Sequence, residues 1–353
     1  MRKPPENKRR PTIKEVAKLA GVSFKTVARV VNGEAAVSPG VREVVEKAMQ
    51  ELGYSPNVSA RQLRSHRSFL IALVGVKPAN EAAAAMYLAR AQPGALRRCS
   101  EAGYHLIFEQ VTPEDEIAVV ERLEHLRVDG VIVSPPLSQR ASFQAALKAK
   151  NLRHVLVASD LHDGETPVVK TNDRLAARQM TQLLIKLGHR KIGFIRGDRH
   201  YAGKERLLGF LDALDEAGIP RQDAYVAPGD FSFRAGEVGA KKLLQLKDPP
   251  TAIFAGNDEM ALGTLVAAAR LGINVPDQLS VAGYDDSLSA TVVWPQLTTV
   301  RQPISEMAAL AVDLLLDEKR YGEAPEVNLD SAVIKRGSTA KPVGASSRSK
   351  ARA

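Results

Sequence analysis

The sequence predicts an α/β protein in two parts: a small all-α unit at the N-terminus, then a two-lobed core of doubly wound parallel sheets. Three observations carry this expectation. The chain has 353 residues, and at about 100–200 residues per domain that length implies two or three domains. The charge is uneven. Residues 1–67 hold 14 Lys/Arg against 6 Asp/Glu, a net of +8, and residues 340–353 add four basic residues and no acid. The stretch between them is therefore mildly acidic at −3, within a total of +9. The third observation is that the apolar spacing is helical up to Tyr54, but from Phe69 short apolar runs alternate with amphipathic stretches.

Residues 1–11 read as a flexible basic arm. Thr12 and Glu15 have the spacing of a capping box, in which a threonine and a glutamate three residues on each satisfy an orphan backbone donor. Ile13, Val16, Ala17 and Ala20 then share a helical face. Gly21-Val22-Ser23 breaks that helix, and Ser23 caps a second with Val27, Val30 and Val31 inward and Phe24, Lys25, Ala28 and Arg29 outward. Ser38-Pro39 opens a third helix through Leu52, with Val41, Val44, Val45, Ala48 and Leu52 as its apolar stripe. The product is a three-helix unit with a short glycine-containing turn, the pattern of a helix-turn-helix. Its second helix offers an aromatic and two cations on the outer face, and the unit carries the chain's positive charge, so its partner is a polyanion. Residues 57–67 are short and basic, and helices under about 12 residues are marginal in water. They read either as a plain linker or as a helix that forms only on DNA, with Leu63 as an apolar wedge among arginines.

In the remainder, the runs 69–76, 104–110, 130–136, 154–159, 191–198, 251–258 and 279–286 have strand character. Helical segments such as 114–127, 173–188, 203–218, 232–246 and 259–272 fall between them. Strands alternating with helices make parallel, doubly wound sheets. About 270 residues exceed what one such sheet needs, hence two lobes.

Several function classes are disfavoured. Cys99 is the sole cysteine, so no internal disulfide framework or Cys-rich zinc site is expected; it reads as a small buried helical residue. The seven histidines lack metal-ligand spacing, and His189 reads as a residue at a helix C-terminus interacting with the dipole. No GxGxxG, Walker, HExxH or GxSxG motif is present, so neither an enzyme nor a cofactor is expected. MRKPPENKRRP has no apolar segment behind it, and no run approaches the roughly 18 apolar residues of a membrane helix. The expectation is a cytoplasmic, nucleoid-associated protein. In open parallel sheets ligands bind beyond the carboxyl ends of the strands. Polar residues lie there in three places: Arg196 to Asp198, Asn257-Asp258 and Asp285-Asp286. Carboxylates, an amide and a guanidinium suit a polyhydroxylated ligand, although Asn and Asp at such positions also simply cap helices.

The stretch TIKEVAKLAGVSFKTVARVVNGEAAVSPGVREVVEKAMQELGYSPNVSARQLR resembles the headpiece and hinge of LacI/GalR-family transcriptional regulators from end to end. LGHRKIGFI, GNDEMALG, VAGYDD and PQLTTVRQP resemble markers of that family's effector-binding core. The resemblance implies a helix-turn-helix headpiece at 12–56, a hinge at 57–67, a periplasmic-binding-protein-like core at 68–339 and a basic tail at 340–353. It also implies a homodimer on a pseudo-palindromic double-stranded DNA operator, released or gripped as a small molecule closes the cleft. By position, Phe24, Lys25 and Arg29 would read base edges, and Thr12, Ser23, Thr26, Asn32 and Asn57 would hold phosphates. Ala60, Leu63 and Arg64 would enter the minor groove. Arg206, Phe231, Asn257, Asp285, Gln302 and Asp173 would contact the effector. A sugar or sugar derivative is the expected ligand and a carbohydrate-use operon the expected target. A corepressor-dependent or nucleobase-responsive regulator remains open, since Phe231 can stack on a base as well as on a sugar. One segment departs from the family: PANEAAAAMYLARAQPG replaces the usual NPF-like stretch after the first core strand, and the expectation is that part of one cleft wall is missing.

Overall fold

The computed structural model describes residues 11–31, 36–54, 67–77, 82–112, 114–197 and 201–342. The chain divides into two compact units, Met1–Ser68 and Phe69–Ala353. The arm 1–10, the hinge positions Asn57, Ala60, Leu63 and Arg64, and Asn32 lie outside the described residues, as do Asp198 and the tail from 343 onward.

In the first unit α1 (Ile13–Ala20), α2 (Phe24–Val31) and α3 (Pro39–Leu52) surround a small core of Val16, Ala17, Val27, Val30, Val45 and Ala48. The capping box forms: the Thr12 amide donates to Glu15 Oε2 at 2.6 Å, and the Thr12 side chain accepts from the Glu15 amide. Ser23 Oγ accepts from the Thr26 amide at 3.1 Å and so caps α2. Two expected faces differ. Ala28 is buried and Val44 is half exposed, at 50%. In an eight-residue helix Ala28 sits one position from Val27, and its single methyl fits the seam that Val27 and Val30 open. Val44 lies one step off the stripe that Val45 and Ala48 complete.

In the second unit, among the described residues, the N-lobe sheet comprises β1 (Leu70–Val76), β2 (His105–Val111), β3 (Gly130–Val133), β4 (His154–Val157), β5 (Val168–Thr171) and β11 (Glu326–Leu329). Their order is β11-β5-β4-β3-β1-β2, and every pair is parallel, with Ala72 opposite both Ile107 and Val131. One face is covered by α4 (Ala82–Glu101) and α12 (Ile304–Leu316), the other by α5 (Glu116–His125) and α6 (Ala141–Ala149). Gly94 lets α4 and α12 meet, because a β-carbon there would strike the Ser305 backbone. Cys99 on α4 is fully buried, and burial pushes its thiol up to about 11.

The C-lobe sheet, β7-β6-β8-β9, is also parallel and contains β6 (Ile192–Ile195), β7 (Val226–Ala227), β8 (Ala252–Ala255) and β9 (Ser280–Ala282). Helices α7 (Asp173–Lys186) and α8 (Tyr201–Glu216) pack on one face, α9 (Phe233–Leu244) and α10 (Asp258–Arg270) on the other. β10 (Thr299–Arg301) pairs antiparallel with β12 (Ala332–Ile334). The chain passes between lobes three times: from β5 to α7, from β10 to α12, and from β11 to β12.

His189 does follow the C-terminus of α7, its amide donating to the Leu184 carbonyl at 3.1 Å, but its imidazole is engaged beyond that helix. It is buried, with Nδ1 2.8 Å from Thr251 Oγ1 and Nε2 2.9 Å from the Ala340 carbonyl, and burial lowers its pKa, so the imidazole is a neutral clasp. Ala340 itself is held, its amide donating to Ser280 Oγ at 3.0 Å, so the ordered core reaches past the expected boundary at 339.

Candidate functional site

On the first unit, α2 presents Phe24, Lys25 and Arg29 outward, with Phe24 at 47% exposure. A large exposed aromatic together with two cations on the outer side of an eight-residue helix is no use to the small core beneath it. A guanidinium on such a face can bond guanine bidentately. Thr12, Ser23 and Thr26 lie at the starts of α1 and α2. Helix N-termini direct backbone N–H groups and positive dipole ends outward, which suits phosphate oxygens.

In the second unit a cleft of about 480 Å³ lies between the lobes, at the carboxyl ends of both sheets. The C-lobe supplies Asp173 at the start of α7, Arg206 on α8, Phe231 before α9, Asn257 before α10, and Asp285 after β9. Gln302 lies on the second crossover. The two charges of the buried pair define the centre. Arg206 Nε donates to Asp173 Oδ1 at 2.8 Å, its Nη1 donates to the Gly256 carbonyl at 2.7 Å, and its guanidinium lies 3.7 Å from the Tyr284 ring centroid. Burial works against the arginine's charge, but Asp173, Tyr284 and Asp285 outweigh it, so Arg206 is held firmly cationic. Asp285 Oδ1 is 4.0 Å from Arg206 Nη1 and accepts from Gln302 Nε2 at 2.5 Å. Its backbone has φ 122°, a conformation L-residues rarely adopt. Such strain persists only where surrounding structure imposes it, and it turns the carboxylate toward the cleft.

Phe231, at φ 67°, lays its ring over Gly197, where any β-carbon would occupy the space of the ring. The ring centre lies 5.7 Å from the Arg206 guanidinium. Asn257 acts first as a helix cap: its Oδ1 accepts from the Met260 amide at 3.0 Å and its Nδ2 donates to the Phe231 carbonyl at 2.9 Å. That leaves one amide hydrogen for a ligand.

The paired acids at the strand ends divide by role. Asp258 is buried, accepting the Ser287 amide at 2.7 Å and the Thr299 hydroxyl at 2.6 Å. Burial and the nearby Asp285 push its carboxyl up to about 7 against those two donors. Asp285 is raised too, by burial, with Arg206, Arg90 and Gln302 opposing. Asp286 joins Arg301 Nε at 2.6 Å and Arg336 Nη2 at 2.5 Å; burial opposes its charge, yet these partners hold it below the usual carboxylate range. It is a brace between strands, not a lining residue.

Of the segment expected to leave a gap in the cleft wall, residues 78–81 lie outside the described residues. Residues 82–101 form α4, and its Ala84, Met86, Tyr87 and Arg90 line the N-lobe side. Sequence reading missed Tyr87, Arg90, Gln139 and Tyr201, all of which line the cleft. For the first two a signal existed: a tyrosine and an arginine three apart on a helix otherwise rich in alanine. Among the described residues no cluster of His, Cys, Asp or Glu is placed to hold a metal, and no helix is long and apolar enough to cross a membrane.

A helical unit with an outward cationic recognition helix, joined to a two-lobed ligand cleft, defines a ligand-responsive DNA-binding regulator. Residues 12–57 match bacterial regulatory proteins of the lacI family, and residues 181–339 match the periplasmic binding protein-like domain. The ribose operon repressor of Escherichia coli strain K12 is 34% identical over 310 residues, covering 86% of this chain and 92% of the repressor. Among solved structures, the transcriptional regulator CelR–cellobiose complex is similar with a TM-score of 0.71 and 32% identity, over 93% of this chain and 100% of that one. The lac repressor dimer bound to operator and the anti-inducer ONPF gives a TM-score of 0.73 and 29% identity, over 94% and 100%. This chain belongs to the lacI family of DNA-binding transcriptional regulators.

Proposed function

We propose that the protein is a homodimeric repressor of a carbohydrate-use operon, its operator affinity set by a polyhydroxylated ligand in the interlobe cleft. The observation that carries this reading is the meeting of Asp285, Arg206 and Gln302 beside the Phe231 ring in a cavity of about 480 Å³. A carboxylate accepts hydrogen bonds from hydroxyls, a guanidinium and an amide N–H donate to hydroxyl oxygens, and an aromatic face covers the C–H face of a pyranose or furanose. Asp173 holds Arg206 in place, and Asn257 offers its remaining amide hydrogen. The sugar-bound and operator-bound relatives agree with this reading.

In this proposal the headpiece spans 12–56, the hinge 57–67 and the core 68–339. Phe24, Lys25 and Arg29 read bases, while Thr12, Ser23, Thr26, Asn32 and Asn57 contact phosphates. Ala60, Leu63 and Arg64 enter the minor groove when the two hinges of a dimer fold together. A dimer is supported by the short helix α11 (Leu288–Val292) and the residue beyond it: Leu288, Val292 and Trp294 are 78%, 74% and 89% exposed. Three large apolar groups this open to water mark an association surface, and a two-fold axis pairs such a patch with itself. The ligand shifts the equilibrium only as far as it prefers one cleft conformation over the other.

The test is selection of bound fragments from a genomic library by the full-length protein, followed by titration of the enriched site with sugars. An enriched pseudo-palindrome whose binding responds to a sugar, with the response lost in Asp285→Ala, supports the reading. A response retained in that variant removes the cleft assignment, and unchanged affinity and bending in Leu63→Ala removes the wedge.

A further inference from the structure

The cleft has two arginines in opposite circumstances. Arg206 is buried and has a carboxylate, a backbone carbonyl and an aromatic face. Arg90, half-buried on α4 across the cleft, has one long contact, Nη2 to the Gln302 carbonyl at 3.3 Å. Among the described residues, no carboxylate forms an ion pair with it. Three residues earlier on the same helical face, the Tyr87 hydroxyl is buried and has no hydrogen-bond partner among the described residues. Residues at i and i+3 are neighbours on a helix surface, so these two unanswered groups stand side by side on one wall. Burial, reinforced by Asp173 and Asp285, keeps the Tyr87 phenol protonated and therefore a donor.

A half-buried cation that Asp285 reaches only through space, with no carboxylate at ion-pair distance among the described residues, and a buried hydroxyl without an acceptor among them both leave bonding capacity that an anionic acceptor would take up. Guanidinium pairs bidentately with carboxylate and with phosphate, and such charge-assisted bonds are about twice as strong as neutral ones. The opposite wall, with Asp285, accepts hydrogen bonds from hydroxyls and would repel an anion.

We infer that the ligand is an acidic polyol whose anionic oxygens, carboxylate or phosphate, are received by Arg90 and the Tyr87 hydroxyl while its hydroxyls face Asp285. This rests on the cleft reading of the preceding subsection and narrows its ligand class.

The test is calorimetric titration of the full-length protein with three sets of probes. D-gluconate, D-glucuronate and D-galacturonate form the carboxylate arm, D-glucose 6-phosphate and D-ribose 5-phosphate the phosphate arm, and D-glucose, D-galactose and D-ribose the uncharged parents. We expect at least one acid to bind tenfold or more tighter than its parent, with the arm it belongs to naming the anion. Arg90→Gln should bring that ratio to about one, and Arg90→Lys should keep part of it, in variants whose thermal unfolding shows an intact fold. An uncharged parent that binds as tightly as its acid overturns the inference and leaves the sugar cleft standing. An acid preference that survives Arg90→Gln also overturns it. No binding by any probe removes the inference and the cleft reading together.

Discussion

The two walls of the cleft are built on different principles. On the C-lobe side the central buried charges are tied to the fold: Asp173 to Arg206, and Asp258 to Ser287 and Thr299. On the N-lobe side Arg90 and Tyr87 are nearly or wholly without protein partners among the described residues. The first wall is fixed before a ligand arrives, and the second is completed by one. Preorganising one wall lowers the ordering cost of binding, while the incomplete wall gives a ligand the differential contact through which closing can be driven.

The largest expected effect separates these walls directly. Arg206→Ala leaves Asp173 as an uncompensated buried charge and should cost about 3–5 kcal/mol of core stability. Arg90→Ala should cost under about 1 kcal/mol, as for weakly paired surface charges. Urea unfolding of both variants checks this, and equal losses would abolish the distinction.

The second test uses pH. The Asp258 carboxyl is raised in the folded state to about 7, so between about 4 and 7 the unfolded chain releases a proton that the folded chain keeps. Its contribution therefore diminishes stability as pH rises through that window, by at most about 4 kcal/mol at 1.36 kcal/mol per unit. Asp286 is shifted the other way; its contribution is present above the unfolded carboxylate pKa near 4 and disappears as pH falls through its own lower value. Urea midpoints from pH 3 to 8 should show a falling limb that Asp258→Asn flattens. Asp286→Asn should instead weaken the protein at neutral pH.

Two smaller effects lie outside the cleft and calibrate it. Arg29→Ala should reduce affinity for the selected operator by about 1–3 kcal/mol and leave calorimetric ligand binding unchanged. Thr12→Ala removes the α1 cap and should lower headpiece stability by about 1 kcal/mol, visible in hydrogen exchange of residues 13–31 with no change in the core.

The parts of the fold legible in sequence were those with regular apolar spacing and a stop signal. Thr12, Ser23 and Pro39 announce the three headpiece helices, and runs such as LIALVGV and TAIFAG announce central strands. The two-residue β7 and the edge strand β11, with its alternating half-exposed residues, are too short or too polar to stand out. α12 is apolar almost all round because it packs on both α4 and the sheet, so it has no polar face to betray a helical period. α4 runs through Gln92-Pro93-Gly94, and the absent side chain at Gly94 is what admits α12. The C-lobe groups Arg206, Asp285 and Gln302 were visible because they follow strand ends or fall in family motifs. That Asn257 is largely occupied as a cap became visible only with Phe231 placed beside it.

The three passages of the chain between lobes also govern how the protein can be made. β11 and α12 complete the N-lobe, but the ribosome delivers them only after the entire C-lobe sheet. Until synthesis passes Leu316 one face of β1, β3 and β4 lacks α12, its apolar side chains uncovered, and until it passes Leu329 β5 has an open edge. Such contacts across long stretches of sequence close slowly, and unfinished sheet edges invite aggregation. A chain cut at either of the first two passages should therefore yield no stable N-lobe.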